Sequence, residues 1–169
     1  MDNYKDFLKR INDEQRSTFC PLEVFRKAPY PLATHRQGLY WIWTNLSDDD
    51  LIAIRDDEET ARVPISKLVQ ERRNLENICK EKKEGFRIIY NGIGSGLRER
   101  INQELNCSSM ATGSLALQTR GVKDENLRIS FFDFGDNKHI LGDYNYLDDA
   151  ESIEINWRVE FGIPILSRY

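Results

Sequence analysis

Tyr90, Arg98 and Arg100 stand on either side of three closely spaced glycines, Gly92, Gly94 and Gly96. A phenol and guanidinium groups held together across a loosened backbone suit one kind of target, a phosphodiester. Glycine lets main chain come close to an anion. A helix N-terminus favours negative charge, and arginine grips phosphate with a planar fork of donors. On this reading Gly92, Gly94 and Arg98 are candidate contacts to substrate phosphate, and Arg100 is the candidate that neutralises charge at the reacting group.

Several elements must position these groups. Phe86-Arg87-Ile88-Ile89-Tyr90 reads as a strand ending at the tyrosine, and a helix from about Leu97 to Leu105 follows the glycine turn, with Leu97, Ile101 and Leu105 on one face. Gly38 to Thr44 reads as a second strand, because aromatic and β-branched residues suit a pleated surface. Alternation places Leu39, Trp41 and Trp43 on one side of it and Tyr40, Ile42 and Thr44 on the other. Leu127 to Phe134 is a third strand. A last helix starts near Asp148 or Asp149 and runs to about Phe161, where Gly162 caps it and Pro164 forbids extension. Ile153 and Trp157 form its core stripe, while Glu154 shares a helical row with Arg158 and Phe161.

The remaining segments read as additions. Asp2 or Asn3 caps a first helix carrying Phe7, Leu8 and Ile11 on one face, and Pro21, Pro29 and Pro31 then impose irregular structure. Residues 45–85 read as an insertion. It holds an acidic stretch with a short strand around Leu51 to Ile54, then a helix from about Ile65 to Glu84 stopped by Gly85. The apolar stripe of that helix, Ile65, Leu68, Val69, Leu75 and Ile78, is either core or an oligomer contact. Residues 107–126 give no clear pattern.

Composition sets the outer bounds. The chain has 169 residues, 40% hydrophobic and 11% aromatic, enough for one packed domain. No apolar run approaches the ~20 residues needed to span a bilayer, and residues 1–6 carry neither a basic start nor an apolar stretch, so no secretory signal is expected. Cys20, Cys79 and Cys107 are odd in number and widely spaced, which argues against a zinc site or a disulfide framework and for a reduced cytoplasm. The net charge of -4 is unlike a nonspecific nucleic-acid binder. A binding face, however, needs only a local excess of basic groups, and Arg26, Lys27, Arg36, Arg98, Arg100 and Arg120 supply candidates. His35 and His139 belong to no ligand pattern and read as surface residues.

Two landmarks then stand together: Gly38-Leu39-Tyr40 opens one strand and Tyr90-Asn91-Gly92 closes another. This pairing resembles the GIY-YIG nuclease superfamily, as does the Leu97-x-x-Arg100 helix after the second tripeptide and a late helix bearing Glu154 followed by Pro164. The resemblance implies an α+β fold: a small three-stranded antiparallel sheet flanked by helices, with a helical insertion between the first two strands. In one domain of residues 1–169 it implies an N-terminal extension (1–37), a nuclease core (38–44 and 86–169) and the insertion (45–85).

It further implies a metal-dependent endonuclease acting on double-stranded DNA, most like the small stand-alone restriction endonucleases, in the cytoplasm and as a homodimer. Tyr40, Tyr90, Arg100 and Glu154 are the implied catalytic residues. Glu154 holds Mg2+ (or Mn2+), with Glu151 the alternative ligand, and Tyr40 orients or deprotonates the attacking water, the second role requiring a lowered phenol pKa. The chain departs from the family pattern at Asn91, Glu104 and Ser167. A carboxylate at 104 repels substrate unless it faces away. Blander readings stand beside these: Tyr40 and Tyr90 as strand aromatics, Arg100 paired with Glu104 on a solvated helix face, Glu154 paired with Arg158, and the whole chain as a degenerate module that binds DNA or protein without cutting.

Overall fold

A computed structural model describes residues 4–27, 37–56, 63–106, 113–142 and 146–168, without the side chains of 146–148. The expected cap at Asp2 or Asn3, Pro29, Pro31, His35, Arg36, the acidic residues 57–59 and Cys107 lie outside the described residues, as does the side chain of Asp148.

The aromatic run Gly38–Thr44 forms strand β2, and every residue of it is buried. It pairs on one side with β4 (Phe86–Gly94) and on the other with β5 (Leu127–Asp133). Two further strands extend the sheet, β1 (Cys20–Pro21) beside β5 and β3 (Lys82–Lys83) beside β4. The architecture is α+β, with one antiparallel sheet in the order β1-β5-β2-β4-β3. The expected three-stranded sheet is therefore corrected to five strands. Two-residue strands are too short to show alternation, and both extra ones sit at an edge, where proline and lysine are tolerated.

Helices cover both faces. On one, α2 (Leu22–Lys27), α3 (Asp48–Ile52), α4 (Ile65–Arg72) and α5 (Leu97–Asn106) pack with Tyr40 and Ile42. On the other, α1 (Tyr4–Ser17), α6 (Lys138–Leu141) and α7 (Tyr146–Phe161) pack with Leu39, Trp41 and Trp43. The expected division of β2 into two faces is thus what separates the two cores. A buried polar chain ties α1 to the second face: Ser130 bonds Gln15, Gln15 donates to Asn12, and Trp157 Nε1 donates to Asn12 Oδ1.

Residues 45–85 differ from expectation in two ways. The stretch expected as a strand around Leu51 is the helix α3, begun by a capping box in which Ser47 and Asp50 bond each other's backbone N–H groups. Three aspartates in its first turn favour the helical dipole. The helix expected to reach Glu84 stops at Arg72. Beyond it, Asn77 and Cys79 find backbone partners in Ile163, and Lys82 and Lys83 pair with β4. These tertiary partners outbid a weak local helical preference. Of the expected apolar stripe, Ile65 and Val69 are fully buried beneath the β2 face, Leu68 and Ile78 pack against the same core, and Leu75 is exposed.

The last helix matches its expected end. Phe161 closes it and Gly162 takes φ +95, a conformation few side chains accept. It begins at Tyr146, two residues before the earlier expected start.

Candidate active site

Tyr40 and Tyr90 meet because of register. Tyr40 lies opposite Gly92, and Ile42 lies opposite Tyr90. Between Ile42 and Trp43 the pairing shifts, so that Trp43 faces Ile88 and Ile89 is the extra residue of a bulge. Simple alternation would put Tyr90 on the face of Phe86 and Ile88, in the second core. The bulge turns Tyr90 over to the Tyr40 face instead. The two rings stand 6.0 Å apart at 37°.

Strand β4 also continues past Tyr90 to Gly94, so the expected glycine turn is shorter and begins only at Ser95. Gly92 is not bare backbone open to an anion. A Cβ there would lie 2.5 Å from the Tyr40 hydroxyl oxygen and 2.7 Å from the ring, so the glycine makes room for that tyrosine. At Gly94 the same construction meets the Arg100 stem at 3.0 Å. Gly94 and Arg100 line a cavity of about 370 Å3 together with Gly38, Ser95 and Ala150.

Burial of Leu97, Ile101 and Leu105 fixes the rotation of α5 and aims Arg100 and Glu104 at the phenols. Glu104 does not face away. Its side chain is fully enclosed, and its Oε1 accepts from Arg100 Nη2 (2.8 Å), Tyr90 Oη (3.3 Å) and Tyr40 Oη (3.5 Å). Its Oε2 accepts from the Leu115 N–H at 3.1 Å. The Arg100–Glu104 pair therefore forms, but inside the protein rather than on a solvated helix face. Arg98 is drawn elsewhere: it donates to the Arg26 carbonyl (3.2 Å) and lies over the Phe25 ring.

The other side of β4 carries α7. Trp157 packs edge-on against Trp41 at 5.4 Å, which seats the helix. Glu154, 8% exposed, accepts from Arg158 through Oε1, and its Oε2 accepts from no described residue. Arg158 in turn donates to Asn91 Oδ1 (2.9 Å), the Asn91 carbonyl (3.2 Å) and the Arg168 carbonyl (2.8 Å). Ser167 Oγ donates to Asn91 Oδ1 (3.1 Å) and accepts from the Asn91 N–H (3.2 Å). Asn91 and Ser167 thus bond each other, and Asn91 holds the arginine that holds Glu154. Sequence reading paired Glu154 with Arg158 by spacing but gave no sign of their link to Asn91 and Ser167.

The two sides meet across the β4 edge. The Glu154 carboxylate is close enough to Tyr90 to help raise its pKa, and Arg100 is close enough to Glu154 to oppose its rise. Tyr40, Tyr90 and Arg100 are brought together on Glu104, while Glu154 is tied through Arg158 to Asn91, the neighbour of Tyr90 on β4. Their protonation follows burial. Tyr40 is pushed well above the ordinary phenol range by burial, then by Tyr90 and Glu104, with Arg100 opposing. Tyr90 is pushed up to about 12 by burial first and Glu104 second. A lowered phenol pKa, needed for Tyr40 to act as a base, is therefore not what its surroundings produce; Tyr40 is a hydrogen-bond donor. Glu104 and Glu154 are each raised by burial, with Arg100 and Arg158 respectively pulling back. Burial lowers Arg100, but Tyr40, Glu104 and Tyr90 outweigh it and keep the guanidinium charged.

Among the described residues no group of three or more His, Cys, Asp or Glu side chains is placed to hold a metal. Glu154 offers one open carboxylate oxygen, with Glu151 near enough to raise its pKa. That donor set fits a hard cation completed by water and substrate oxygens, not a protein-enclosed one. No described helix is long and apolar enough to cross a membrane. In comparisons with known proteins, no family model, curated protein or solved structure matches this chain.

Proposed function

We propose that this chain is a metal-dependent endonuclease that hydrolyses phosphodiester bonds in double-stranded DNA, with a centre of the GIY-YIG kind and the economy of a stand-alone restriction enzyme. The observation that supports this reading is the convergence of Tyr40, Tyr90 and Arg100, from β2, β4 and α5, beside a cavity, with Glu154 on α7 linked through Arg158 to Asn91, next to Tyr90.

Each group has a role that its surroundings favour. Arg100, with 38% of its side chain exposed beside the cavity, neutralises the non-bridging oxygens as charge develops. Tyr40 and Tyr90 stay protonated and orient the attacking water and the phosphate through their hydroxyls. Glu154 Oε2 would hold Mg2+ or Mn2+, with Glu151 the alternative donor; the bound ion supplies Lewis-acid stabilisation of the leaving oxygen. Gly94 flanks this centre as a contact to a neighbouring phosphate, and Arg98, held against α2 by the Arg26 carbonyl, would reach a phosphate further along the duplex. Cutting both strands from one centre calls for a second copy, hence a homodimer. The free thiols of Cys20 and Cys79 suit the cytoplasm.

One observation favours a second reading. The Arg158 guanidinium bonds Glu154 and would oppose a cation there, as in a module that binds DNA or protein without cutting. Plasmid DNA incubated with the protein in Mg2+, in Mn2+ and in chelator separates the two. The endonuclease reading expects discrete, metal-dependent fragments. It also expects Arg100→Lys and Glu154→Ala each to slow cutting by about 10²–10³-fold in folded protein, the scale of losing one preorganised charge-stabilising group. Retention on DNA without cleavage selects the module. Undiminished cutting by a well-folded Glu154→Ala variant rejects the metal ligand.

A further inference from the structure

Glu104 sits where the resembled pattern leaves no role for a carboxylate, yet it is fully enclosed and bonded through both oxygens. One oxygen receives donors from three elements, Tyr40 on β2, Tyr90 on β4 and Arg100 on α5, and the other receives the Leu115 N–H. A plain i, i+4 ion pair on a helix needs neither full enclosure nor two phenols, and is worth only ~0.2–0.5 kcal/mol. Of the two phenols, Tyr40 is fully enclosed, while Tyr90 is only partly so and makes the shorter contact.

We propose that Glu104 is the proton acceptor of the hydrolytic step, acting through Tyr90. This rests on the endonuclease reading and deepens it. The attacking water gives one proton to the Tyr90 oxygen while the Tyr90 hydroxyl proton passes to Glu104 Oε1. The resulting hydroxide forms the new bond to phosphorus. The bond from phosphorus to the leaving sugar oxygen breaks, and that oxygen keeps the electron pair and takes a proton from solvent. Glu104 then returns its proton to water through the same phenol, so the net change is addition of one water across one phosphodiester. Tyr90 needs no stable phenolate, which removes the difficulty posed by its high pKa. Burial raises the Glu104 pKa, so the carboxylate is a better acceptor than an ordinary surface glutamate. The charged and titratable groups facing it are Arg100, Tyr90 and Tyr40, with Glu154 acting on Tyr90 from α7.

The test is the pH profile of single-turnover plasmid cleavage in Mg2+ for the wild type, Glu104→Gln, Glu104→His and Tyr90→Phe. Wild type is expected to lose rate below an acid limb. Glu104→Gln keeps the side-chain shape, and should fall about 10²–10⁴-fold at neutral pH and lose that limb. Glu104→His restores an acceptor, and should recover part of the rate with the limb moved upward towards the histidine range. Tyr90→Phe keeps the ring packing and should fall as far as Glu104→Gln, with the double variant no slower than either, because the pair acts as a unit. It serves as the test if the Gln variant fails to fold. A folded Glu104→Gln protein with the wild-type rate and limb overturns the relay and leaves the endonuclease reading standing; a folded Tyr90→Phe protein with the wild-type rate and limb overturns the relay and the water-orienting role of Tyr90 with it. Absence of cleavage by the wild type overturns both.

Discussion

Gly92→Ala tests the packing that places the first phenol. The added methyl would lie 2.5 Å from the Tyr40 hydroxyl oxygen, 2.7 Å from Cζ and 3.0 Å from Cε1. Tyr40 is fully buried, and Ile42, Leu97 and Ile101 belong to the same core, so the ring has no open space to swing into. Overpacking of this kind costs about 1–3 kcal/mol. The displaced hydroxyl also leaves Glu104, and a hydrogen bond to a charged group is worth about 1.5–3 kcal/mol. At 3.5 Å this one belongs at the low end. The combined expectation is a loss of about 2.5–4.5 kcal/mol, read from urea unfolding at neutral pH. The attribution is checked by repeating the substitution in a Tyr40→Leu background, where the atoms nearest the new methyl are gone. There the cost of Gly92→Ala should fall below about 1 kcal/mol, the difference being the interaction between the two sites. An equal cost in both backgrounds would show that Tyr40 is not why position 92 is glycine.

Two further outcomes follow from the same geometry. Arg158→Ala strips the donor from Glu154 and from the Asn91 carbonyl, and one of two donors from Asn91 Oδ1. Breaking a largely buried pair this way should cost about 3–5 kcal/mol, and a denaturation midpoint shift worth under about 1 kcal/mol would reject the network as structural. Tyr90 contributes to alkaline stability, beside Tyr40 and Cys79, which burial also pushes up. The fold favours its protonated form, so this contribution is full below pH 10 and is lost as pH rises through about 12. At ~1.36 kcal/mol per pKa unit, the loss is at most about 3 kcal/mol. Denaturant titrations at a series of alkaline pH values should show a shallower decline for Tyr90→Phe, and parallel declines would refute the assignment.

Much of the scaffold was legible because it depends on near neighbours in the chain. The strands at Gly38–Thr44 and Leu127–Asp133 follow from runs of aromatic and β-branched residues, and the end of α7 follows from Gly162 and Pro164. The core stripe of Ile153 and Trp157 follows from helical spacing, and both are buried. The candidate residues Tyr40, Tyr90, Arg100 and Glu154 were legible by type and order, and the structure brings the first three together on Glu104.

The orientation of the site was decided elsewhere. Residue types and periodicity determined which segments become strands and helices and which faces are apolar, because those choices are made by backbone sterics and burial over a few residues. The tertiary structure alone decided that α4 ends at Arg72, that a bulge at Ile89 carries Tyr90 to the side of Tyr40, and that Glu104 points inward. It also decided that Asn91 finds Ser167 and Arg158 across 76 and 67 positions of chain. Contacts at such separations leave no local periodic trace. They form where two surfaces, each shaped by its own short-range rules, happen to offer matching donors and acceptors once the sheet has closed.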